Sequence, residues 1–119
     1  MWRPLNDSQL VSAYVKEFPG SRAPAALVKL LEALRTTDCD GNVFAVTSLG
    51  SLWFTTAPDY TQADKHPSVS VLLRGDGFSV SYVEAGKRRA TSGGITLESG
   101  LEATVRAFLL RMVRAGRGG

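Results

Sequence analysis

The stretch SVSVLLRGDGFSVSYV, residues 68–83, alternates apolar and small polar side chains on both sides of a central Arg-Gly-Asp-Gly. Period-two alternation sends successive side chains to opposite faces, the pattern of half-buried strands. With Gly75-Asp76 as a two-residue hairpin loop, Leu73/Phe78, Val71/Val80 and Val69/Tyr82 pair on one face. Leu72/Ser79, Ser70/Ser81 and Ser68/Val83 then share the other. Shifting by one residue sets Leu73 against Ser79 and Val71 against Ser81, and every apolar pair on that face is lost. The alternation therefore fixes one antiparallel ladder, and its apolar face must be covered by the rest of the chain.

Val43 to Thr56 reads as a second hairpin. A three-residue loop, Ser48-Leu49-Gly50, opposes Val46 to Leu52 and Phe44 to Phe54, with Gly50 supplying a left-handed position. A two-residue loop instead pairs Phe44 with Thr55 and Ala45 with Phe54. Matching apolar to apolar favours the longer loop and turns Trp53 away from the main core. Beyond the opening stretch, Lys87-Arg88-Arg89-Ala90-Thr91-Ser92 is predicted as an edge strand whose charges discourage edge-to-edge pairing, ended by Gly93-Gly94.

Helical spacing flanks the strands. Leu10, Val11, Tyr14, Val15 and Phe18 form a short amphipathic stripe, with Asn6 or Asp7 as cap and Pro19-Gly20 as stop. Leu27, Leu30, Leu31 and Leu34 form a second stripe, with Ser21 as cap and Pro24 in the first turn. Ser99-Gly100-Leu101-Glu102 has the form of a capping box and opens a third helix through Leu101, Val105, Phe108, Leu109, Met112 and Val113. The tail 115–119 reads as frayed. The expected fold is a single α+β domain over 1–119: two N-terminal helices, a four- to five-stranded antiparallel meander-like sheet, and a C-terminal helix packed on one sheet face.

At 119 residues and 44% apolar content the chain can bury a core without covalent staples. Its lone cysteine, Cys39, forms no internal disulfide, and no segment has the length or apolarity of an export signal or membrane span, so the sequence reading is cytoplasmic with no membrane partner. Net charge is +3, unevenly spread: residues 1–70 carry −1 and residues 71–119 carry +4. That excess is too mild to demand a polyanion.

Catalytic groups are sparse. Cys39 and His66 are a conceivable nucleophile and base, yet Asp38 and Asp40 flank the cysteine and disfavour its thiolate. One Cys and one His give no zinc signature. Asp38, Asp40 and Asn42 place oxygens at alternate positions, but the twelfth position from Asp38, where a calcium loop needs Glu, is Leu49. No phosphate loop, dinucleotide fingerprint or nucleophile elbow is present. The expectation is a protein that is not an enzyme and needs no cofactor or metal. Arg74-Gly75-Asp76 resembles the integrin-binding tripeptide of adhesion proteins, but the register uses Gly75-Asp76 as the bend.

Recognition is then the expected role. On a helical wheel Arg106, Arg114 and Arg117 lie opposite Leu101 and Met112, with Leu110 among them. Trp53 and Tyr60 fall outside the main core, and aromatic residues and arginine are enriched at protein interfaces. The partner-binding set is Trp53, Tyr60, Lys87, Arg88, Arg89, Arg106, Leu110 and Arg114. The favoured function is a small non-catalytic protein-interaction domain, such as a bacterial immunity protein, antitoxin or chaperone-like inhibitor, with homodimerisation through a sheet edge or the Trp53 surface as an added expectation. The alternative is a nucleic-acid-associated module using Lys87, Arg88, Arg89, Arg106, Arg111 and Arg114. A third reading is a small ligand-binding or catalytic domain built on Cys39 or His66.

Overall fold

A computed structural model describes residues 1–18, 20, 22–36, 43–48 and 51–117. Along the chain run β1 (Trp2–Pro4), α1 (Leu10–Lys16), α2 (Ala25–Leu34), β2 (Phe44–Ser48), β3 (Ser51–Thr55), a 3-10 helix (Tyr60–Lys65), β4 (Ser68–Arg74), β5 (Gly77–Val83), β6 (Ser92–Thr96) and α3 (Glu98–Arg117). The strands of the described residues form one six-stranded antiparallel sheet in the order β1-β2-β3-β4-β5-β6. The α+β architecture expected from the sequence is present, with a C-terminal helix on the sheet.

The β4–β5 hairpin has the register that alternation dictates, from Ser68↔Val83 through Leu73↔Phe78 to Arg74↔Gly77. Gly75 has φ 55°, a left-handed conformation that glycine adopts without steric cost. Other elements depart from expectation. In the first hairpin Phe44 pairs with Thr55, Ala45 with Phe54 and Thr47 with Leu52, the two-residue-loop register. Ala45 and Phe54 are consequently fully buried, while Phe44 is on the opposite face of the sheet and half-buried. Thr47 is accommodated on the core face because its hydroxyl donates to the Glu17 carboxylate. The loop residues Leu49 and Gly50 lie outside the described residues, as do Pro19, Ser21 and the acidic turn holding Asp38, Cys39, Asp40 and Asn42.

The predicted edge strand is displaced. Lys87, Arg88 and Arg89 sit in the exposed β5–β6 connection, and Gly93-Gly94 lies inside β6 rather than ending a strand. A Cβ on Gly93 would stand 3.1 Å from the Val80 carbonyl oxygen, so glycine lets β6 approach β5 closely. The strand β1 was not expected; it pairs Trp2 with Val46 and Pro4 with Phe44. The third helix begins at Glu98, which puts Ser99 inside its first turn, and Glu102 pairs with Arg106 at 3.1 Å instead of closing a capping box. That helix also continues through Ala115 to Arg117, where a frayed tail was expected.

One face of the sheet carries Ala45, Leu52, Phe54, Val69, Val71, Phe78, Val80 and Tyr82 into a common core with Leu10 and Tyr14 of α1, Leu27, Leu30, Leu31 and Leu34 of α2, and Leu101, Val105, Leu109 and Met112 of α3. All three helices therefore lie on this face. Phe78 neighbours the start of α3, and Tyr82 stacks on Phe108 in its second half, so α3 runs along β5 in the same direction. No helix among the described residues is long and apolar enough to cross a membrane.

Tyr14 is fully buried, packs edge-on against Phe18 with ring centroids 5.1 Å apart, and its hydroxyl has no hydrogen-bond partner among the described residues. Burial, reinforced by the nearby Glu17 carboxylate, pushes its pKa up to about 12 from 10.0. A raised phenol pKa means that the stabilising contribution is complete below the unfolded value of about 10 and is lost as pH rises towards 12. Tyr14→Phe removes both the unpaired hydroxyl and this alkaline liability. Its expected effect is a gain of about 1 kcal/mol at pH 7. Thermal melts at pH 7 and between pH 10 and 12 check both effects, and the variant's Tm should fall less steeply across the alkaline range.

Candidate functional site

Two connections, β3–β4 and β5–β6, meet the second half of α3 at one end of the sheet. Each is held there by bonds that its own sequence supplies. At the start of the β3–β4 connection, the Thr55 hydroxyl donates to the Pro67 carbonyl at 2.9 Å and accepts from the Ala57 amide at 3.1 Å, which pins the two ends together. The Asp59 carboxylate accepts from the Thr61 amide and hydroxyl, capping the 3-10 helix. Those hydrogen bonds hold its pKa below the ordinary carboxylate value. Thr56 Oγ1 lies 2.9 Å from His66 Nδ1 and fixes the imidazole at the C-terminal end of that helix.

The β5–β6 connection is tied on both sides. Gly86, at φ 76°, donates its amide to the Asp64 carbonyl at 2.8 Å. A side chain at Gly86 would meet no atom but would strain the backbone, so glycine is required by conformation rather than space. At the far end of the turn the Thr91 amide donates to the Tyr82 carbonyl at 2.8 Å. Between these anchors Lys87, Arg88 and Arg89 are exposed.

Arg111 joins α3 to this turn. Its guanidinium stands 4.3 Å from the Tyr82 ring centroid, donates to Ser92 Oγ at 2.7 Å, and pairs with Glu84 at 3.4 Å. The ion pair is solvent-exposed and worth little by itself, roughly 0–1 kcal/mol. The geometry matters more: two acceptors hold one cation over a buried aromatic ring. Tyr82 in turn stacks on Phe108, with centroids 5.9 Å apart and planes at 20°. Burial raises the Tyr82 pKa, partly opposed by Arg111, so the hydroxyl is neutral at pH 7.

These pieces enclose an open groove of about 540 Å³. Tyr82, Glu84 and Arg111 line it together with Lys65 and His66. No cluster of three or more metal-ligating side chains exists among the described residues. The groove can hold an anionic or hydrogen-bonding group against the Arg111, Lys65 and His66 side, with the Lys87–Arg89 turn as a cationic rim.

The residues singled out in the sequence fall into three places. Tyr60, the first residue of the 3-10 helix and 82% exposed, and Lys87, Arg88, Arg89 and Arg114 share this end of the molecule. Leu110, 52% exposed, lies on α3 next to Arg111. Arg106 stands apart, because its guanidinium bonds the Ala33 carbonyl near the end of α2 and the Glu102 carboxylate, and so joins two helices. Trp53 is on the opposite face of the sheet, edge-on to Trp2 with centroids 5.2 Å apart. The grouping of Lys65, His66, Tyr82, Glu84 and Arg111 was not read from the sequence. Two of its members had a sequence signal, His66 as a conceivable base or ligand group and Arg111 as one of the basic residues of the nucleic-acid alternative. Cys39 lies outside the described residues.

No protein-family model matches the chain, and no curated protein or solved structure is significantly similar to it.

Proposed function

We propose that the chain is a non-catalytic protein-interaction domain, acting in the cytoplasm in the manner of an immunity protein, antitoxin or chaperone-like inhibitor, that receives an acidic segment of a protein partner at this cationic end. The observation that supports the reading is the anchoring of Lys87, Arg88 and Arg89 on a turn fixed by the Gly86–Asp64 bond, beside a groove walled by Arg111. A presented, preorganised basic rim speeds encounter with an acidic partner and lowers the ordering cost of binding. The Glu84 carboxylate stands among these cations, paired with Arg111 and lining the groove with Lys65. Such mixed charge suits the patterned surface of a protein better than a uniformly negative phosphate backbone.

Affinity capture from the native host, with the wild type and a Lys87→Glu/Arg88→Glu/Arg89→Glu variant as baits, tests the proposal. The wild type should retain a stoichiometric protein whose binding weakens with salt, and the variant should lose roughly ten- to hundred-fold in affinity. Tyr60, exposed at the start of the 3-10 helix in the β3–β4 connection, supports a second reading, a single-stranded nucleic acid stacked on that ring. Retention of RNA or DNA and no protein by the wild type would favour this alternative.

A further inference from the structure

The face of the sheet turned away from the helices contains a pattern that neither the core nor the cationic groove uses. One lateral row crosses all six strands in register: Trp2, Val46, Trp53, Ser70, Ser81, Gly93. Its first half is bulky, with Val46 buried to 3% exposure between two half-buried indoles, and its second half is two serines and a glycine. The flanking rows add Pro4, Phe44, Thr55, Ser68 and Val83 on one side, and Leu72, Ser79 and Ile95 on the other. With Ser51 these make fifteen uncharged outward positions in a chain that is 21% charged, and Arg74, at the hairpin end of β4, is the one charged outward side chain among the described strand residues. A solvated sheet face normally carries charge, and its depletion together with tryptophan marks the centre of interfaces.

The row also indicates what covers it. Sheets stack about 10 Å apart, and that spacing is filled when large side chains face small ones. Two tryptophan ridges facing each other would overfill the gap, and two serine valleys would leave it empty. A twofold axis parallel to the strands, midway between β3 and β4, sets β1 over β6, β2 over β5 and β3 over β4 of a second copy, so ridge meets valley twice. Self-complementarity of this kind is what an isologous twofold interface requires. Six strands about 4.8 Å apart and about five residues long give a footprint of roughly 500 Å² in projection. Over two copies that is about 1,000 Å², the size that a biological interface with good complementarity must reach. The lack of charge across the central row and its flanks, with Arg74 only at the hairpin end, argues against a basic or acidic partner here.

We propose that this open face is a homodimer interface, with the Trp2–Val46–Trp53 ridge of each copy seated in the Ser70–Ser81–Gly93 valley of the other. The interface is independent of the acidic-partner reading, because the cationic groove lies at the strand ends and on the helix side. Sedimentation velocity of the full chain between about 1 and 100 µM tests it. The wild type is expected to sediment as a dimer at the upper end, with tryptophan emission shifting to the red on dilution as Trp53 meets water. Ser70→Arg and Ser81→Arg each place a guanidinium in the valley at a half-exposed position. Each should weaken self-association at least 100-fold while retaining the wild-type circular dichroism and melting profile in dilute solution. Monomeric wild type at 100 µM overturns the proposal, and so does a dimer that survives both arginine substitutions, which would place self-association at a sheet edge. Binding of a different protein to this face, lost in both arginine variants while the wild type alone stays monomeric, also overturns it.

Discussion

Phe54→Ala is expected to lower the unfolding free energy by about 4 kcal/mol, and Phe44→Ala by about 1 kcal/mol. Phe54 is fully buried on a central strand, in register with Ala45 and Val69, and its removal leaves a cavity beneath the helices that the small Ala45 cannot fill. Phe44 is half-buried on the helix-free face, so truncation there mainly exposes its neighbours to water. Urea denaturation of both variants in the Ser70→Arg background, which keeps self-association out of the measurement, gives the two values. The contrast tests the register itself. If Phe44 and Phe54 faced each other on the core side, both substitutions would be costly to a similar degree.

Tyr82→Ala is expected to cost about 4 kcal/mol, whereas Tyr82→Phe changes stability by less than about 0.5 kcal/mol. The ring is 2% exposed, stacks on Phe108 and carries the Arg111 guanidinium on its face. Alanine loses the burial of an aromatic side chain together with stacking and cation–π attraction, each worth on the order of 1 kcal/mol. Phenylalanine keeps all three. Thermal or urea melts distinguish the two variants, and Arg111→Ala completes the set with an expected loss below about 1 kcal/mol, since its other bonds are exposed. Only the alanine change at position 82 removes a wall of the groove along with the stability.

The β4–β5 ladder was legible because each of its strands alternates, so a one-residue slip carries a visible penalty. Val43-Phe44-Ala45-Val46 is apolar at every position. It has no period to read, and the size of the loop alone decides which of its side chains enter the core. Pairing Phe44 with Phe54 maximised apolar matches but assumed that both belonged to one face. The fold instead places the small Ala45 opposite Phe54 and sends Phe44 outward with Val46. β1 is three residues long and docks on β2 only after two helices have intervened, so no local pattern announces it. Charge likewise misled at Lys87–Arg89, where a run that could protect an edge strand turned out to occupy a turn, while the glycines expected to end a strand lie inside β6, Gly93 close against β5 and Gly94 open to space.

The candidate groove was illegible for a different reason. His66, Tyr82 and Arg111 come from three separate connections and elements, and each has an ordinary reading in isolation. Tyr82 was rightly legible as core, yet its row lies at the strand end, where a core side chain can also line an opening. Arg106 shows the converse, a cation that a helical wheel placed on a binding face but that the packing of α2 on α3 engages with the Ala33 carbonyl.

The cationic groove lies entirely at one end of the strands, and this has a consequence for valency. A twofold axis running along the strands exchanges the two sheets without exchanging their ends, so a face-to-face pair points both grooves the same way. A partner bearing two acidic segments on one chain would then bind its second segment intramolecularly, at an effective concentration set by the spacer between them. Modest affinity at each groove becomes strong avidity for repeated or paired acidic motifs, and a spacer too short to bridge the two grooves forfeits that gain.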